Sequence, residues 1–550
     1  MNDTAYQATP PQAADETTMP KNEPQVTYRF GDGVAMPADI SPLAVGNKAA
    51  NLMRMAEAGL PVPPGFVITT RVCRDYFDRG GSLPEDLPAW LSRDIEYLER
   101  VTDQQFGGRR RPLLVSVRSG APVSMPGMMD TILNVGLCDR TVSPLICLTG
   151  NPRFVWDSYR RLVQTYAEVA QALPPDPFDR LIGERLQDSS TPTSDELDAF
   201  ALRDLTLEFL RLYAELAGEP FPQEPLAQLE SAVEAVFRSS RSPRALEYRR
   251  LHSIPGESGT AVTVQAMVFG NMGNTSGSGV GFTRDPATGE NALYLDFLWN
   301  SQGEDVVSGR HAVQDGATIK ARMPTLDRQL RQVCDKLERL FCDTQDFEFT
   351  IQEGRLYLLQ SRAAKRTPWA ALRVACDLVN EDVIDRRTAL ARLAEFDLDS
   401  LQVTRLANEH ERPPLSVGVA ACPGVAIGRI ALDPQTAVAM AREGGRPILV
   451  RHDISTDDVA GLAASEGILT MLGGRTSHAA VVARQMNKVC IVGCRDLVIE
   501  RNRRCRIGAQ SLAEGDFLSL DGHSGAVYAG ELVFVVERPL ELLSRVKQWQ

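Results

Sequence analysis

Hydrophobic and polar positions along the chain follow two periods, that of a strand and that of a helix, in separate blocks. From Val26 to about Leu137, short apolar runs such as FVITT and LLVSVRSG alternate with helical patterns such as KAANLMRMAEAG, which ends on a glycine. From residue 151 to about 250, apolar residues recur every three or four positions, which is typical of amphipathic helices. Residues 260–362 return to strands and turns. This pattern predicts an α/β unit with a helical insert.

The rest of the chain predicts a second, smaller unit. Two helical patterns precede Pro413 and Pro414, which break regular structure before a β-rich block. That block contains the strand candidates PILVRH, GILTML, KVCIVGC and FLSLDG, with a helix after His478. The predicted divisions are a disordered tail (1–25), a first α/β part (26–150), a helical insert (151–255), a second α/β part (256–365), a helical linker (366–415), a β/α domain (416–535) and a C-terminal tail (536–550).

Composition narrows the class of protein. A chain of 550 residues with 43% hydrophobic and 24% charged residues is typical of a multidomain soluble protein, and it has no apolar run of about 18 residues that would span a membrane. The net charge of -12 argues against nucleic acid or an anionic membrane as a partner. The ten cysteines lack zinc-site spacing and are interpreted as reduced thiols in a cytoplasmic protein, with Cys490 and Cys494 in a buried strand region.

The stretch DFEFTIQEGRLYLLQSR predicts a hairpin that carries charge on one face. Asp346 and Glu348 share a face of the first strand, and Gln360 and Arg362 share a face of the second. If the turn centres on Gly354, Glu348 lies opposite Gln360 and Asp346 lies opposite Arg362. Such a cluster suits Mg²⁺-nucleotide chemistry, although a charged hairpin face is also an ordinary solvated surface.

Three other features are candidates for binding phosphate. Lys48 follows a glycine at a predicted helix start, and Arg118 ends an apolar strand. A flexible glycine-rich loop, whose backbone N–H groups would approach phosphate oxygens, is predicted at Thr275, Ser276, Gly277, Ser278 and Gly279. A plain turn is the alternative interpretation of that loop.

His478 has surroundings that suit a phosphorylated imidazole. In GILTMLGGRTSHAAVVARQM an apolar strand and a glycine pair are followed by Thr476 and Ser477, which are capping residues ahead of an alanine-rich helix. His478 is therefore expected at a helix N-terminus, where free N–H groups and the helix dipole stabilise a phosphoryl group. The other histidines are interpreted as structural: His252, His311, His410, His452 and His523.

The stretch GGRTSHAAVVARQM resembles the phosphohistidine motif of the pyruvate phosphate dikinase family. LLVSVRSGAPVSMPGMMDTILNVGL, GNPRFVWDSYRR, MVFGNMGNTSGSGVGFTRDPATGE and NSQGEDVVSG resemble the same family in the same order, from about residue 26 to about residue 530. The SMPGMMDTILN and FPQEP stretches favour the phosphate-using dikinases over the water-using synthases. The resemblance implies a multidomain α/β fold, an ATP-grasp nucleotide-binding domain with a helical insert followed by a swivelling β/α phosphohistidine domain.

The resemblance also implies roles for particular residues. It assigns ATP contacts to Lys48 and Arg118, metal and phosphate contacts to Asp346, Glu348, Gln360 and Arg362, a place near the nucleotide to Asp296, and phosphoryl acceptance to His478. In that family ATP gives its β-phosphoryl group to the histidine and its γ-phosphoryl group to inorganic phosphate, with Mg²⁺, leaving AMP and pyrophosphate. Thr476 matches a threonine that a regulatory kinase modifies in plant dikinases, although its capping position already accounts for it.

Some positions depart from the family. It usually has glycines at Asn47, Ala49, Gln485 and Asn487 and methionine at Arg475. The family also has a barrel that binds pyruvate, and we expect none after the histidine domain. The expected protein is therefore a monomeric half-enzyme that transfers the phosphoryl group to pyruvate on a separate barrel protein or to another acceptor. Two alternatives are a small-molecule phosphotransferase resembling rifampin phosphotransferase and a phosphohistidine carrier or regulatory protein.

Overall fold

A computed structural model gives the arrangement of most of the chain. It describes residues 25–31, 33–37, 40–121, 130–189, 191, 194–251, 259–307, 316–407, 412–454, 458–475, 477–500 and 502–549. Nearly all of the predicted N-terminal tail lies outside these ranges, as do Thr476, His252, His311 and His410. His478 is described by its backbone alone.

The N-terminal part forms a five-stranded sheet with helices around it. Its elements are β1 (Thr27–Phe30), α1 (Pro42–Glu57), β2 (Gly65–Ile68), α2 (Thr70–Asp78), α3 (Leu87–Thr102), β3 (Gln105–Phe106), β4 (Pro112–Leu113), β5 (Val115–Gly120), β6 (Thr131–Val135) and α4 (Asp139–Thr149). Short runs of buried β-branched and aromatic residues form the strands, as in the fully buried β2. The strands β3 and β4 pair separately.

The helical insert is confirmed. Its helices are α5 (Pro152–Val169), α6 (Asp176–Ser189), α7 (Ala199–Ala217), α8 (Pro225–Ser239) and α9 (Pro243–Leu251). Two of these helices have side-chain N-caps. Asn151 accepts from the backbone N–H of Phe154 at the start of α5, and Asp198 accepts from that of Ala201 at the start of α7. Their apolar faces share one core with the five-stranded sheet.

A second sheet of four strands follows. Its region contains β7 (Ala261–Ala266), β8 (Gly277–Phe282), β9 (Tyr294–Trp299), α10 (Gly303–Val307), α11 (Gly316–Arg322), α12 (Pro324–Phe341), β10 (Gln345–Gln352) and β11 (Arg355–Ala363). The four-stranded order is β11-β10-β8-β9, whereas β7 joins the first sheet in the order β1-β2-β7-β5-β6. The β7 sequence, which the pattern groups with the second α/β part, therefore pairs with β2 and β5 of the first sheet.

The linker and the C-terminal residues form one unit. The helices α13 (Pro368–Asn380) and α14 (Arg386–Leu393) are followed by β12 (Val403–Leu406). At the end of the chain, β24 (Phe534–Glu537) pairs antiparallel with β12, and α18 (Leu540–Lys547) shares an apolar core with α13 and α14. We call the β12–β24 pair the ribbon. His523 Nε2 lies 2.9 Å from the carbonyl oxygen of Thr404 in the ribbon.

The last domain, which we call the histidine domain, lies in sequence between the two strands of the ribbon. Its elements are β13 (Ser416–Val417), β14 (Val419–Cys422), β15 (Val425–Ala431), α15 (Pro434–Arg442), β16 (Pro447–Arg451), α16 (Val459–Ala464), β17 (Gly467–Thr470), α17 (His478–Gln485), β18 (Val489–Val492), β19 (Leu497–Glu500), β20 (Arg504–Ile507), β21 (Gln510–Ala513), β22 (Phe517–Asp521) and β23 (Ala526–Ala529). Eight strands form a mixed sheet and β19, β20 and β21 a small one. Cys490 and Cys494 are buried free thiols, as the apolar pattern predicted.

Helices long and apolar enough to cross a membrane are absent from the described ranges.

Candidate functional site

The hairpin of β10 and β11 has the predicted register. Asp346 lies opposite Arg362, and Glu348 lies opposite Gln360. The turn itself is the two-residue pair Glu353-Gly354, with φ of 49° and 79°, and the pairs next to it are offset by one from the predicted register. An irregularity between Glu348 and Phe349 removes this offset and gives the predicted register beyond it. The predicted pairing is therefore confirmed, but it depends on a bulge that the alternation did not reveal.

Two rows of side chains run across the four-stranded sheet on one face. The first row joins Arg362, Asp346, Phe282 and Tyr294 on successive strands. The second row joins Gln360, Glu348, Val280 and Asp296 in the same way. Because the rows are two residues apart, both face the same side, and neighbouring strands place their members about 4.8 Å apart. One half of this face is charged, and the other half is apolar and aromatic except for Asp296.

The charged half is held by hydrogen bonds between facing side chains. Arg362 Nε donates to Asp346 Oδ2 at 2.8 Å, and Gln360 Nε2 donates to Glu348 Oε1 at 3.2 Å. Burial raises the pKa of the Asp346 carboxyl, and the Arg362 guanidinium opposes that rise. The arrangement therefore holds a carboxylate in a place that disfavours its charge, which an incoming cation would relieve.

Lys48 is brought to this face by α1. The helix is interrupted at Gly46, whose φ of 77° lies in the left-handed region and whose Cβ, if present, would lie 2.2 Å from the carbonyl oxygen of Gly120. One turn beyond Lys48, Asn51 Nδ2 donates to the carbonyl oxygen of Ser361 at 2.8 Å, which ties the helix to β11. Burial lowers the pKa of the Lys48 ammonium, and the Glu348 carboxylate opposes that effect.

Arg118 approaches from the other sheet. It lies near the end of β5, where it pairs with Thr131 and Thr263. Its charge lowers the pKa of Lys48, so the two cations lie close together. Arg118 Nε is buried and has no hydrogen-bond partner in the described part of the chain. Two adjacent cations and an unsatisfied donor indicate a place for an anion.

A second charged network, which the sequence reasoning missed, adjoins Arg118. Arg161 on α5 donates to Asp157 at 2.9 Å and to Asp305 on α10 at 3.1 Å. Burial raises the pKa of the adjacent Glu304 carboxyl, and the charges of Arg161 and Arg118 oppose that rise. The spacing of Asp157 and Arg161 by four residues on one helix was the available signal, but Asp305, the partner of Arg161 on α10, is 144 residues away from it in sequence.

The structure corrects part of the predicted glycine-rich loop. Gly277, Ser278 and Gly279 belong to the buried strand β8. A Cβ on Gly277 or Gly279 would lie 2.2 Å or 2.5 Å from a phenylalanine ring, because Phe297 and Phe349 cover these glycines. Thr275 and Ser276 precede the strand and bind the hairpin turn, through the Thr275 carbonyl to Gly354 and Ser276 Oγ to Glu353. The predicted flexible loop is therefore wrong for Gly277, Ser278 and Gly279, where the glycines make room for aromatic rings. A nucleotide contact at residues 275–279 stays a prediction.

The donor set is compatible with Mg²⁺. Groups of three or more acidic, cysteine or histidine side chains that could hold a metal are absent from the described residues. The set around Asp346 instead combines two carboxylates with the amide of Gln360, and Asp346 is buried at a cost that a divalent cation would offset. Hard oxygen ligands of this kind suit Mg²⁺, which also takes ligands from water and nucleotide phosphates. Asp346, Glu348 and Gln360 are the residues that would hold it.

His478 begins α17, as predicted. Ser477 is the N-cap and its side chain accepts from the backbone N–H of Ala480. The segment before this N-terminus lies against the aromatic half of the first row, since Arg475 lies over the Tyr294 ring. Arg484, in the last turn of α17, lies over the Phe282 ring. The charge of Arg484, like that of Arg362, opposes the rise that burial causes in the pKa of Asp346. The start of α17 therefore faces the same rows that carry Asp346 and Arg362.

Comparison with protein families gives two matches. Residues 43–104 and 80–330 match the model described as pyruvate phosphate dikinase, AMP/ATP-binding domain. Residues 444–525 match the PEP-utilising enzyme, mobile domain. The first match contains Lys48, Arg118 and Asp296, and the second contains His478.

Several curated proteins are similar over nearly the whole chain. Pyruvate, phosphate dikinase of Clostridium symbiosum is 44% identical over 509 residues, which is 92% of this chain and 58% of that protein. The Rhizobium meliloti protein of the same name is 41% identical over 95% of this chain and 60% of its own length. The chloroplastic Flaveria pringlei protein is 43% identical over 95% and 55%. This chain thus spans somewhat more than half the length of these relatives.

Proposed function

The chain belongs to the pyruvate phosphate dikinase family, and from that premise we propose that it is an ATP-dependent phosphotransferase that phosphorylates its own His478. The proposed reaction uses ATP and inorganic phosphate and gives phosphohistidine, AMP and pyrophosphate. The β-phosphoryl group goes to the imidazole nitrogen of His478, and the γ-phosphoryl group goes to inorganic phosphate. The final acceptor is proposed to be pyruvate bound on a barrel protein, with a small-molecule acceptor as the alternative.

One observation carries this proposal. The N-terminus of α17 lies against the same two-row sheet face that holds Asp346, Glu348 and Arg362, although His478 and Asp346 are far apart in sequence and in different domains. A helix N-terminus accommodates an anionic phosphoryl group, and a partly buried cluster of carboxylates and cations accommodates a Mg²⁺-nucleotide. Such a contact between two domains has a clear use in direct phosphoryl transfer.

The side chains divide the chemistry between them. Lys48, Arg118 and Arg362 supply positive charge to the phosphates, which is most effective in a buried site. Asp346, Glu348 and Gln360 would hold Mg²⁺, which neutralises charge on the phosphates when bound. The dipole of α17 and its free N–H groups then stabilise phosphohistidine once it forms. The similarity to relatives named for pyruvate and phosphate supports phosphate as the second acceptor and pyruvate as the last.

The first experiment follows each phosphoryl group separately. The protein is incubated with Mg²⁺ and with ATP labelled at the β or the γ position, with and without inorganic phosphate. We expect acid-labile β-label on the protein, and pyrophosphate only when phosphate is present. His478→Ala should lose the label entirely, whereas His452→Ala, which alters an exposed histidine of the same domain, should keep it.

The possible outcomes test the phosphorylation of His478 and the identity of the final acceptor separately. Protein label from the γ position, or label that persists in His478→Ala, would refute the proposed chemistry. If the β-label appears, the phosphoprotein is supplied with pyruvate and a barrel domain of the dikinase type. Loss of label with formation of phosphoenolpyruvate would support pyruvate as the acceptor, and retention of label would refute it.

A further inference from the structure

Three contacts join the histidine domain to the four-stranded sheet, which we call the nucleotide sheet. They come from the segment before α17, from the last turn of α17 and from β14. The Arg475 guanidinium lies 4.7 Å from the centroid of the Tyr294 ring, and that of Arg484 lies 5.3 Å from the centroid of the Phe282 ring. The Tyr294 hydroxyl donates to the carbonyl oxygen of Ala420 at 3.4 Å. We call the two arginines and two rings the clamp.

The aromatic side of the clamp is fixed by the sheet. Phe282 and Tyr294 are cross-strand partners on β8 and β9, and their rings meet edge to face with centroids 5.9 Å apart. Asp346 is the next residue of the same row. A domain that docks on these rings is therefore placed at a set distance from Asp346, with little freedom to slide.

The arginine side is fixed to the helix that begins with His478. Arg484 Nη2 donates to the carbonyl oxygen of Arg475 at 2.8 Å, which ties the segment before α17 to the helix itself. Arg484 is 2% exposed, and its Nε and Nη1 have no hydrogen-bond partner in the described ranges. Its contact with Phe282 thus joins a buried charge of the histidine domain to the sheet.

Arg475 differs from Arg484 in what holds its side chain. Its Nε is buried without a hydrogen-bond partner among the described residues, and the only ring it lies over there is that of Tyr294, in the other domain. Cation–π attraction is strongest when the cation is shielded from water, and the guanidinium of Arg475 is shielded at its Nε.

We propose that Arg475 is a positioning residue, which holds the N-terminus of α17 on the nucleotide sheet by lying over Tyr294. This inference rests on the proposed function, because docking matters for the phosphorylation of His478. Arg475 acts through placement and touches no reacting atom. Its loss should slow phosphorylation at saturating ATP and leave the affinity for ATP unchanged.

The kinetic test is a double-mutant cycle. Arg475→Met and Tyr294→Leu should each lower the rate of β-label transfer to His478 roughly tenfold, which corresponds to about 1.4 kcal/mol in the barrier. The double variant should be no slower than Tyr294→Leu alone, because that substitution already removes the contact with Arg475. Tyr294→Phe keeps the ring and should stay within about twofold of the wild type. A wild-type rate in Arg475→Met, or a double variant slowed about a hundredfold, would overturn the proposal.

A matched control separates this effect from general loss of charge. Arg429 lies 4.7 Å from the Phe517 ring within the histidine domain, so Arg429→Met removes a contact of the same kind away from the clamp. It should leave the phosphorylation rate unchanged, and an equal slowing would count against a docking role for Arg475. ATP affinity and thermal unfolding of each variant show whether the nucleotide site and the fold are intact.

A second readout does not depend on the reaction. Small-angle X-ray scattering of the full chain with Mg²⁺ should show a larger radius of gyration for Arg475→Met than for the wild type and Arg429→Met, because the domain undocks. Equal radii would overturn the docking role even if His478 is phosphorylated. An absence of β-label on the wild type would instead refute the proposed function, and the scattering result would still decide whether Arg475 docks the domain.

Discussion

Asp346 is held at a buried position that disfavours the charged form of its carboxyl group. Burial raises its pKa above the ordinary value of 3.8, and the paired Arg362 only partly compensates. The folded protein therefore binds a proton at Asp346 more readily than the unfolded chain does. Between the ordinary and the raised pKa, the stability that this residue contributes falls as pH rises, and above that range the charged form is a net cost.

Replacing Asp346 by asparagine should therefore separate stability from activity. Asp346→Asn should have a Tm at pH 7 equal to or above that of the wild type, since it removes a buried charge and leaves Arg362, whose side chain is 47% exposed, to water. The rate of His478 phosphorylation should fall by about a hundredfold or more, as for other losses of electrostatic stabilisation. Calorimetry and β-label transfer measure the two effects.

The control for this variant is another buried aspartate paired with a half-exposed arginine. Asp327 accepts from Arg331 on α12, away from the site. Asp327→Asn should lower the Tm and leave phosphorylation unchanged. The opposite outcome for Asp346, a lower Tm with full activity, would show that its ion pair only stabilises the fold.

At the scale of elements, β8 decides whether the two rows form. Its alternate residues Gly277, Gly279 and Gly281 lie under the rings of Phe297, Phe349 and Phe347. The intervening residues Val280 and Phe282 lie in the two rows. Because β8 has no side chains at these three positions, it packs closely on the rings of the core. The packing of the core therefore sets the position of the two rows.

Adding a methyl group to β8 should disturb both the packing of the core and the geometry of the site. In Gly279→Ala the new Cβ would lie 2.5 Å from Phe349 Cζ, so we expect a loss of about 1–3 kcal/mol in the free energy of unfolding by urea. Nucleotide affinity should also fall, since the rows shift. Gly183→Ala, in the open surroundings of helix α6, should instead gain about 0.5–1 kcal/mol. Equal effects of the two substitutions would contradict this packing argument.

At the scale of the molecule, Arg284 joins the nucleotide sheet to the linker. Its side chain is 1% exposed and donates to Glu338 on α12 at 2.8 Å and to Glu381, just after α13, at 2.6 Å. Asp377 on α13 lies 3.6 Å away. One buried cation thus binds carboxylates from two structural units, and its own charge is offset only while both remain in place.

Arg284→Met should therefore loosen the linker from the nucleotide sheet. Removing the shared partner leaves Glu338 buried without its cation, and we expect a loss of about 2–4 kcal/mol of stability, given that Glu381 and Asp377 are partly exposed. Arg331→Met, which removes a half-exposed ion pair on α12, should cost less than about 1 kcal/mol. Hydrogen exchange should show faster opening of α13 in the first variant alone, and unchanged exchange there would refute the role of Arg284.

Local patterns predicted much of this structure, and contacts distant in sequence account for what they missed. The hairpin pairs around Asp346 and the cap before His478 follow from alternation and from capping residues. The strand nature of Gly277–Gly279 was missed because only the covering rings, from other strands, explain those glycines. Arg161 and Tyr294 were missed because their partners lie in other elements. The roles of Lys48, Arg118, Asp296 and the row residues remain predictions.

The ribbon has a consequence for the proposed phosphoryl transfer from the nucleotide to His478. Both connections of the histidine domain leave through the paired strands β12 and β24, so the domain is attached to the rest of the chain at a single place. Such a tether confines the histidine to a small volume around the nucleotide sheet and gives it an effective concentration of about the millimolar range, independent of how dilute the protein is. Each encounter is then an event within one molecule, and a weak contact such as the clamp is enough to make it productive.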